Sequence, residues 1–63
     1  MKCYLKQRRM ERYLTQTELA ELSGIGQSHL SRIELGKVTP TLELAFKLAR
    51  ALNCSIEEIF SPE

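Results

Sequence analysis

Cysteine is scarce in this chain: Cys3 and Cys54 lie far apart and belong to no Cys-x-x-Cys or Cys/His cluster. Neither a zinc site nor a disulfide framework is indicated, and free thiols suit a reducing cytoplasm. Histidine is scarcer still, since His29 stands alone with no carboxylate or cysteine spaced to make it a metal ligand or a proton-transfer group. No apolar run approaches the length of a membrane helix, and the charged start, with no apolar stretch behind it, does not read as a signal peptide. Internal repeats, linkers and low-complexity tracts are missing. So are a nucleophile–base pair, a carboxylate pair with apolar flanks and a phosphate-cradling glycine loop, and 63 residues leave no pocket-sized volume. These absences argue against an enzyme, a resident metal and a cofactor. Net charge is only +1, which taken alone is no signal of nucleic-acid binding.

What is present fits one domain, residues 1–63. A chain of this size buries about 60% of its unfolded surface, so its stability depends on well-packed helices or a second subunit. Charge is unevenly spread. Residues 1–32 hold six Lys/Arg against three Glu, or +3, and residues 33–63 hold three against five, or −2, compatible with a basic face and an acidic rear.

Residues 14–37 organise the rest. Thr15 and Glu18 have capping-box spacing, and Leu14 and Leu19 hold the two positions of a hydrophobic staple, which predicts a helix from Gln16 to about Ser23, ended by Gly24. A second helix is expected from Gln27 to about Leu35, ended by Gly36, with Ile25 and Leu30 repeating the staple. At about 100° per residue, Leu30 and Ile33 share one face of it. Ser28, Arg32 and Leu35 fall almost opposite, flanked by His29 and Ser31. A face with Ser28, Arg32 and a flanking Gln27 near the helix start can read base edges, because Arg can donate two parallel hydrogen bonds to guanine and Gln can pair with adenine.

Around this unit, residues 2–12 form an expected first helix with Leu5 and Met10 inward and Lys6, Arg8, Arg9 and Arg12 on a basic, solvated face. Ser23 reads as a small buried residue bonded back to the preceding turn. Lys37 and Thr39 lie in a loop where they could touch phosphate, and Thr41 caps a fourth helix with Leu42, Ala45, Leu48, Ala49 and Leu52 as core and Phe46 half buried. Ser55 and Glu58 form a second capping box for a final helix, with Cys54 as a packing residue, Ile56 inward, and Phe60 open to a core or a dimer role. Ser61, Pro62 and Glu63 read as a frayed tail.

Leu14-Thr15-Gln16-x-Glu18-Leu19-Ala20, Ser23-Gly24-Ile25-x-Gln27-Ser28-x-Leu30-Ser31-Arg32-Ile33-Glu34, Gly36-Lys37, Pro40-Thr41-Leu42-Glu43 and Leu48-Ala49-x-Ala51-Leu52 together resemble the Cro/CI-type helix-turn-helix family of phage repressors and bacterial regulators. The resemblance spans roughly residues 5–60 and implies an all-α, compact five-helix, lambda repressor-like fold. By the same resemblance Arg9 pairs with Glu34, Gln16 clamps the DNA backbone, and the dimer interface uses Asn53, Cys54 and Phe60. One departure is Tyr13, where the family usually has Gly, Asn or another residue tolerant of positive φ; either the helix ends differently there or the ring gains a compensating contact.

The leading expectation is a sequence-specific transcriptional regulator, a repressor that binds a roughly palindromic operator on double-stranded DNA as a homodimer, with the second helix of the motif in the major groove. Base contact falls to Gln27, Ser28 and Arg32. Backbone contact falls to Gln16, Lys37 and Thr39, with Thr17, His29 and Ser31 beside them. His29 is equally readable as an inert surface residue, and Leu35 as a thymine or sugar contact, a subunit contact or an ordinary exposed leucine. The alternative is a protein-interaction module, such as an antitoxin-like partner, on the same fold. Contiguity of the exposed apolar residues would favour it.

Overall fold

The computed structural model describes residues 1–62, and its elements are β1 (Lys2–Cys3), α1 (Leu5–Glu11), α2 (Gln16–Ser23), α3 (Gln27–Glu34), α4 (Leu42–Leu52), α5 (Ile56–Ile59) and β2 (Phe60–Ser61). Local chemistry sets the helix boundaries. Thr15, Thr41 and Ser55 each accept the backbone N–H three residues on, and Glu18 and Glu58 reach back to complete capping boxes. Hydrogen bonds from the backbone and hydroxyl of Ser55 are the main causes that hold the Glu58 carboxyl below its usual range. Its contribution is therefore present at neutral pH and lost as acid protonates the folded-state group.

Helix exits share one device. Tyr13, Gly24, Gly36 and Asn53 have φ of 58°, 76°, 75° and 53°, and each follows a helix. After α1, α3 and α4 the backbone closes in a Schellman motif: Leu14 N–H donates to Arg9 C=O, Lys37 to Arg32 and Cys54 to Ala49. Three of the four residues are types that tolerate the left-handed region, and Tyr13 is not. The helix thus ends as it does elsewhere in the fold, and the ring gains no compensating contact, being 94% exposed. Left-handed strain of about 1–2 kcal/mol stands against roughly 0.5–1 kcal/mol of extra unfolded-chain freedom for glycine. Tyr13→Gly is accordingly expected to stabilise the fold by about 0.5 kcal/mol and to raise the melting temperature by about 2–4 °C, read by thermal denaturation.

The core is built from Leu5, Leu19, Ile25, Leu30, Ile33, Ala45, Leu48, Ala49, Leu52, Ile59 and Phe60. Leu14, Cys54 and Ile56 pack against it, half buried. Ser23 is 8% exposed; its hydroxyl donates to Ala20 C=O and accepts from Ile25 N–H, which ties α2 to the turn before α3.

Four expectations need correction. The first helix starts at Leu5 rather than residue 2, because Lys2 and Cys3 pair antiparallel with Ser61 and Phe60 and Tyr4 N–H donates to Ile59 C=O. The fold is thus helical with a two-stranded ribbon joining its ends, and Ser61 is a strand residue; Glu63 lies outside the described residues. Met10 is 57% exposed. With Leu5 inward, the residue one turn on is Arg9, and Met10 falls about 140° around the helix. Leu42 is 69% exposed, since it opens α4 on the side that carries Phe46 one turn later.

Two arginines of the solvated face expected on α1 also make tertiary contacts. Arg8 donates to Glu58 C=O at 3.0 Å and Arg12 to Asn53 C=O at 3.2 Å, so the helix grips the ends of α5 and α4.

Candidate nucleic-acid interface

α2 and α3 meet at the Gly24-Ile25-Gly26 turn, and burial of Leu19, Ile25, Leu30 and Ile33 fixes the rotation of both helices. That rotation turns Gln27, Ser28 and Arg32 outward as exposed residues, with Ser31 and His29 half buried on the flanks. Gln16, Gln27, Ser28, Ser31 and Arg32 line one shallow hollow of about 560 Å³. Gln16 opens α2, where first-turn N–H groups and the positive end of the helix dipole favour an anion. Donors suited to phosphate and side chains suited to base edges therefore share one surface.

Behind this surface lies a polar network. Arg9 Nε donates to Glu34 Oε2 at 2.7 Å and Arg9 Nη2 to Glu34 Oε1 at 3.3 Å, while Arg9 Nη1 donates to Leu14 C=O at 2.7 Å. The Glu34 side chain is 3% exposed and that of Arg9 11%. Gln16 Nε2 adds a third donor to Glu34 at 2.9 Å. One carboxylate thus joins α1, the first residue of α2 and the last turn of α3. A second link was not apparent from spacing: the Thr17 hydroxyl donates to Gln27 Oε1 at 3.2 Å.

Lys37 is exposed in the loop after α3. Thr39 lies further along and lines a different hollow, with Pro40, Leu42, Ala45, Ile56 and Phe60. Ile56 also borders a hollow formed by Phe46, Ala49, Arg50, Asn53 and Cys54. A continuous apolar surface therefore runs from Leu42, 69% exposed, to Phe46, 50% exposed, with Ile56 between the two hollows. Asn53 is exposed and Cys54 half buried on its rim, whereas Phe60 is 6% exposed and belongs to the core, contributing only part of the floor. Burial pushes the thiols of Cys3 and Cys54 up, as suits packing residues rather than nucleophiles.

Among the described residues no group of three or more His, Cys, Asp or Glu is placed to hold a metal ion, and no helix is long and apolar enough to cross a membrane.

The profile of the family described as Helix-turn-helix matches residues 5–59. An HTH-type transcriptional regulator of Archaeoglobus fulgidus is 40% identical over 60 residues, which cover 95% of this chain and 84% of that protein. Another, from Methanocaldococcus jannaschii, is 43% identical over 60 residues, covering 95% and 91%. Among solved structures, the restriction-modification controller protein C.AhdI from Aeromonas hydrophila superposes with a TM-score of 0.84 at 36% identity, over 89% of this chain and 85% of that one. A helix-turn-helix transcriptional regulator from Vibrio cholerae gives 0.79 at 34% identity, over 84% of this chain and 30% of its own. The five helices have the lambda repressor-like arrangement of these regulators.

Proposed function

The chain belongs to the helix-turn-helix family and is a transcriptional regulator with a helix-turn-helix DNA-binding domain, and we propose that it acts as a repressor, binding a roughly palindromic operator as a homodimer. The observation that carries this reading is the shared hollow, in which Gln16 at the head of α2 adjoins Gln27, Ser28, Ser31 and Arg32 on α3. With α3 in the major groove, Gln27, Ser28 and Arg32 face base edges, and Gln16 and Lys37 meet phosphates on either side. His29 and Ser31, half buried on the flanks of α3, lie at the margins of that footprint, whereas Thr39 borders the separate hollow that holds Leu42 and Ile56.

One copy makes few phosphate contacts, so useful affinity requires two. The apolar surface of Leu42, Phe46 and Ile56, rimmed by Asn53 and Cys54, is suited to a second copy related by a twofold axis, and reading two half-sites one helical turn apart requires the two α3 helices to sit about 34 Å apart. Repression then needs only that the bound dimer occupy a site that polymerase also requires. The same apolar contiguity is what a protein-interaction module would present, so solution mass decides between a second copy and a different partner.

Selection from a randomised duplex library at two salt concentrations, with protein mass measured alongside, tests the reading. A palindromic motif with half-sites about one helical turn apart, bound by a dimer, is the expected result. Sequence-blind binding that vanishes at moderate salt, by a monomer, would overturn it. In the same assay Arg32→Ala should remove about 1–3 kcal/mol and relax one base pair per half-site, whereas Lys37→Ala should weaken all sequences alike.

A further inference from the structure

The last turn of α2 and the second half of α4 border a hollow of about 470 Å³ that shares no residue with the one formed by Gln16 and α3. Its walls are Leu22 and Ser23 from α2 and Lys47, Arg50 and Ala51 from α4. Leu22 is 61% exposed. The Ser23 hydroxyl is committed to Ala20 C=O and Ile25 N–H, so polar recognition in this hollow falls to the two cations, both exposed. Lys47 pairs with Glu43 at 3.8 Å, but the Glu43 side chain is 80% exposed and water screens the attraction. Among the described residues Arg50 makes no ion pair and no side-chain hydrogen bond. Glu21, beside Leu22 in the chain, does not line the hollow. An uncovered leucine thus adjoins positive charge that the fold leaves largely unneutralised.

We propose that this hollow docks an acidic segment of another protein, one that presents a large apolar side chain flanked by carboxylates. Leu22 and Ala51 receive the apolar side chain, whose removal from water drives the association. Arg50 can hold a carboxylate through two parallel N–H groups, and Lys47 attracts a second as a point charge. The same cations speed the approach of an acidic partner and penalise a basic one. A DNA backbone would satisfy both cations but offers little apolar area to Leu22. Arg50 also borders the hollow formed by Phe46 and Asn53, so the docked segment would lie at the edge of the surface assigned to a second copy. The proposal depends on neither the operator nor the twofold interface.

Random peptides displayed on phage and selected on the wild-type protein at physiological salt provide the test. The best-enriched peptide is then synthesised and titrated against the wild type, Leu22→Gln, Arg50→Glu and Arg32→Ala, with folding checked by circular dichroism. Enriched peptides should share a leucine or phenylalanine flanked by Asp or Glu. Leu22→Gln should weaken the synthetic peptide about three- to tenfold, and Arg50→Glu, which sets like charge against its carboxylates, about tenfold or more. Arg32→Ala, on the DNA-facing helix, should leave it unchanged. Selection that returns no acidic and apolar consensus, or a peptide indifferent to Leu22→Gln or Arg50→Glu, would overturn the proposal. Loss of dimer mass with both variants would overturn it by giving the hollow to the second copy. Equal weakening of binding to random-sequence duplex by both would overturn it by giving the hollow to the DNA backbone.

Discussion

Glu34→Ala is expected to leave the protein largely unfolded at moderate temperature. The Glu34 side chain is 3% exposed and accepts two hydrogen bonds from Arg9 and one from Gln16. Its removal strands a guanidinium that is 11% exposed, with Leu14 C=O as its remaining acceptor. Breaking a buried ion pair from one side costs about 3–5 kcal/mol, because the charge left behind stays desolvated. At about 0.05–0.15 kcal/mol per residue the whole fold has roughly 3–9 kcal/mol of stability, so the loss is comparable to the total. The melting temperature should fall by about 15 °C or more.

Removing both partners is a different matter. Arg9→Met combined with Glu34→Leu replaces the pair with apolar groups and should recover most of that stability, since desolvating two charges offsets much of their attraction. The double variant should bind DNA less well, as Gln16 and the last turn of α3 lose their common anchor. Thermal denaturation and DNA binding of both variants provide the check. A loss below about 1 kcal/mol for Glu34→Ala would show the pair to be peripheral to folding.

Phe46→Glu should separate the proposed dimer while leaving the monomer folded. The ring is 50% exposed, so roughly half of its burial remains to be gained from a partner. Full burial of such a side chain contributes about 1.5–3 kcal/mol, and half of that is about 0.8–1.5 kcal/mol. In a twofold interface each substitution counts twice, which brings the loss to about 1.5–3 kcal/mol, or about 10- to 150-fold in the dimerisation constant. The introduced carboxylates add repulsion across the axis. Sedimentation would read the loss of dimer directly, and operator binding should weaken in parallel, while Arg32→Ala changes base preference without changing mass. An unchanged dimerisation constant for Phe46→Glu would move the twofold axis to another surface.

Much of the binding unit was legible because its determinants are local. Capping boxes, staples and helix-ending glycines act within five residues, so Thr15, Glu18, Leu14, Leu19, Gly24 and Gly36 announce the α2–turn–α3 unit by spacing alone. The rotation of α3 followed from Leu30 and Ile33 being its apolar pair. The ribbon between β1 and β2 was not legible. Each strand has two residues, too few to show a period of two, and their partners lie at opposite ends of the chain.

The roles of charged and amide side chains depended most on tertiary structure. A run of arginines on α1 has the same sequence pattern whether it faces solvent or neighbouring carbonyls, and Arg8 and Arg12 reach the latter because α5 and the end of α4 pack beside them. Leu42 satisfies helical periodicity as well as Leu52 does, yet it is left 69% exposed. Thr17 and Gln27 stand on different helices, and only the crossing of α2 and α3 brings hydroxyl and amide within 3.2 Å. By itself the sequence determined where α2 and α3 begin and end and which stripe of each is buried, because caps, turns and periodicity are short-range. Tertiary structure alone decided which polar groups hold one another and which are left exposed, because those pairings depend on how separate elements pack.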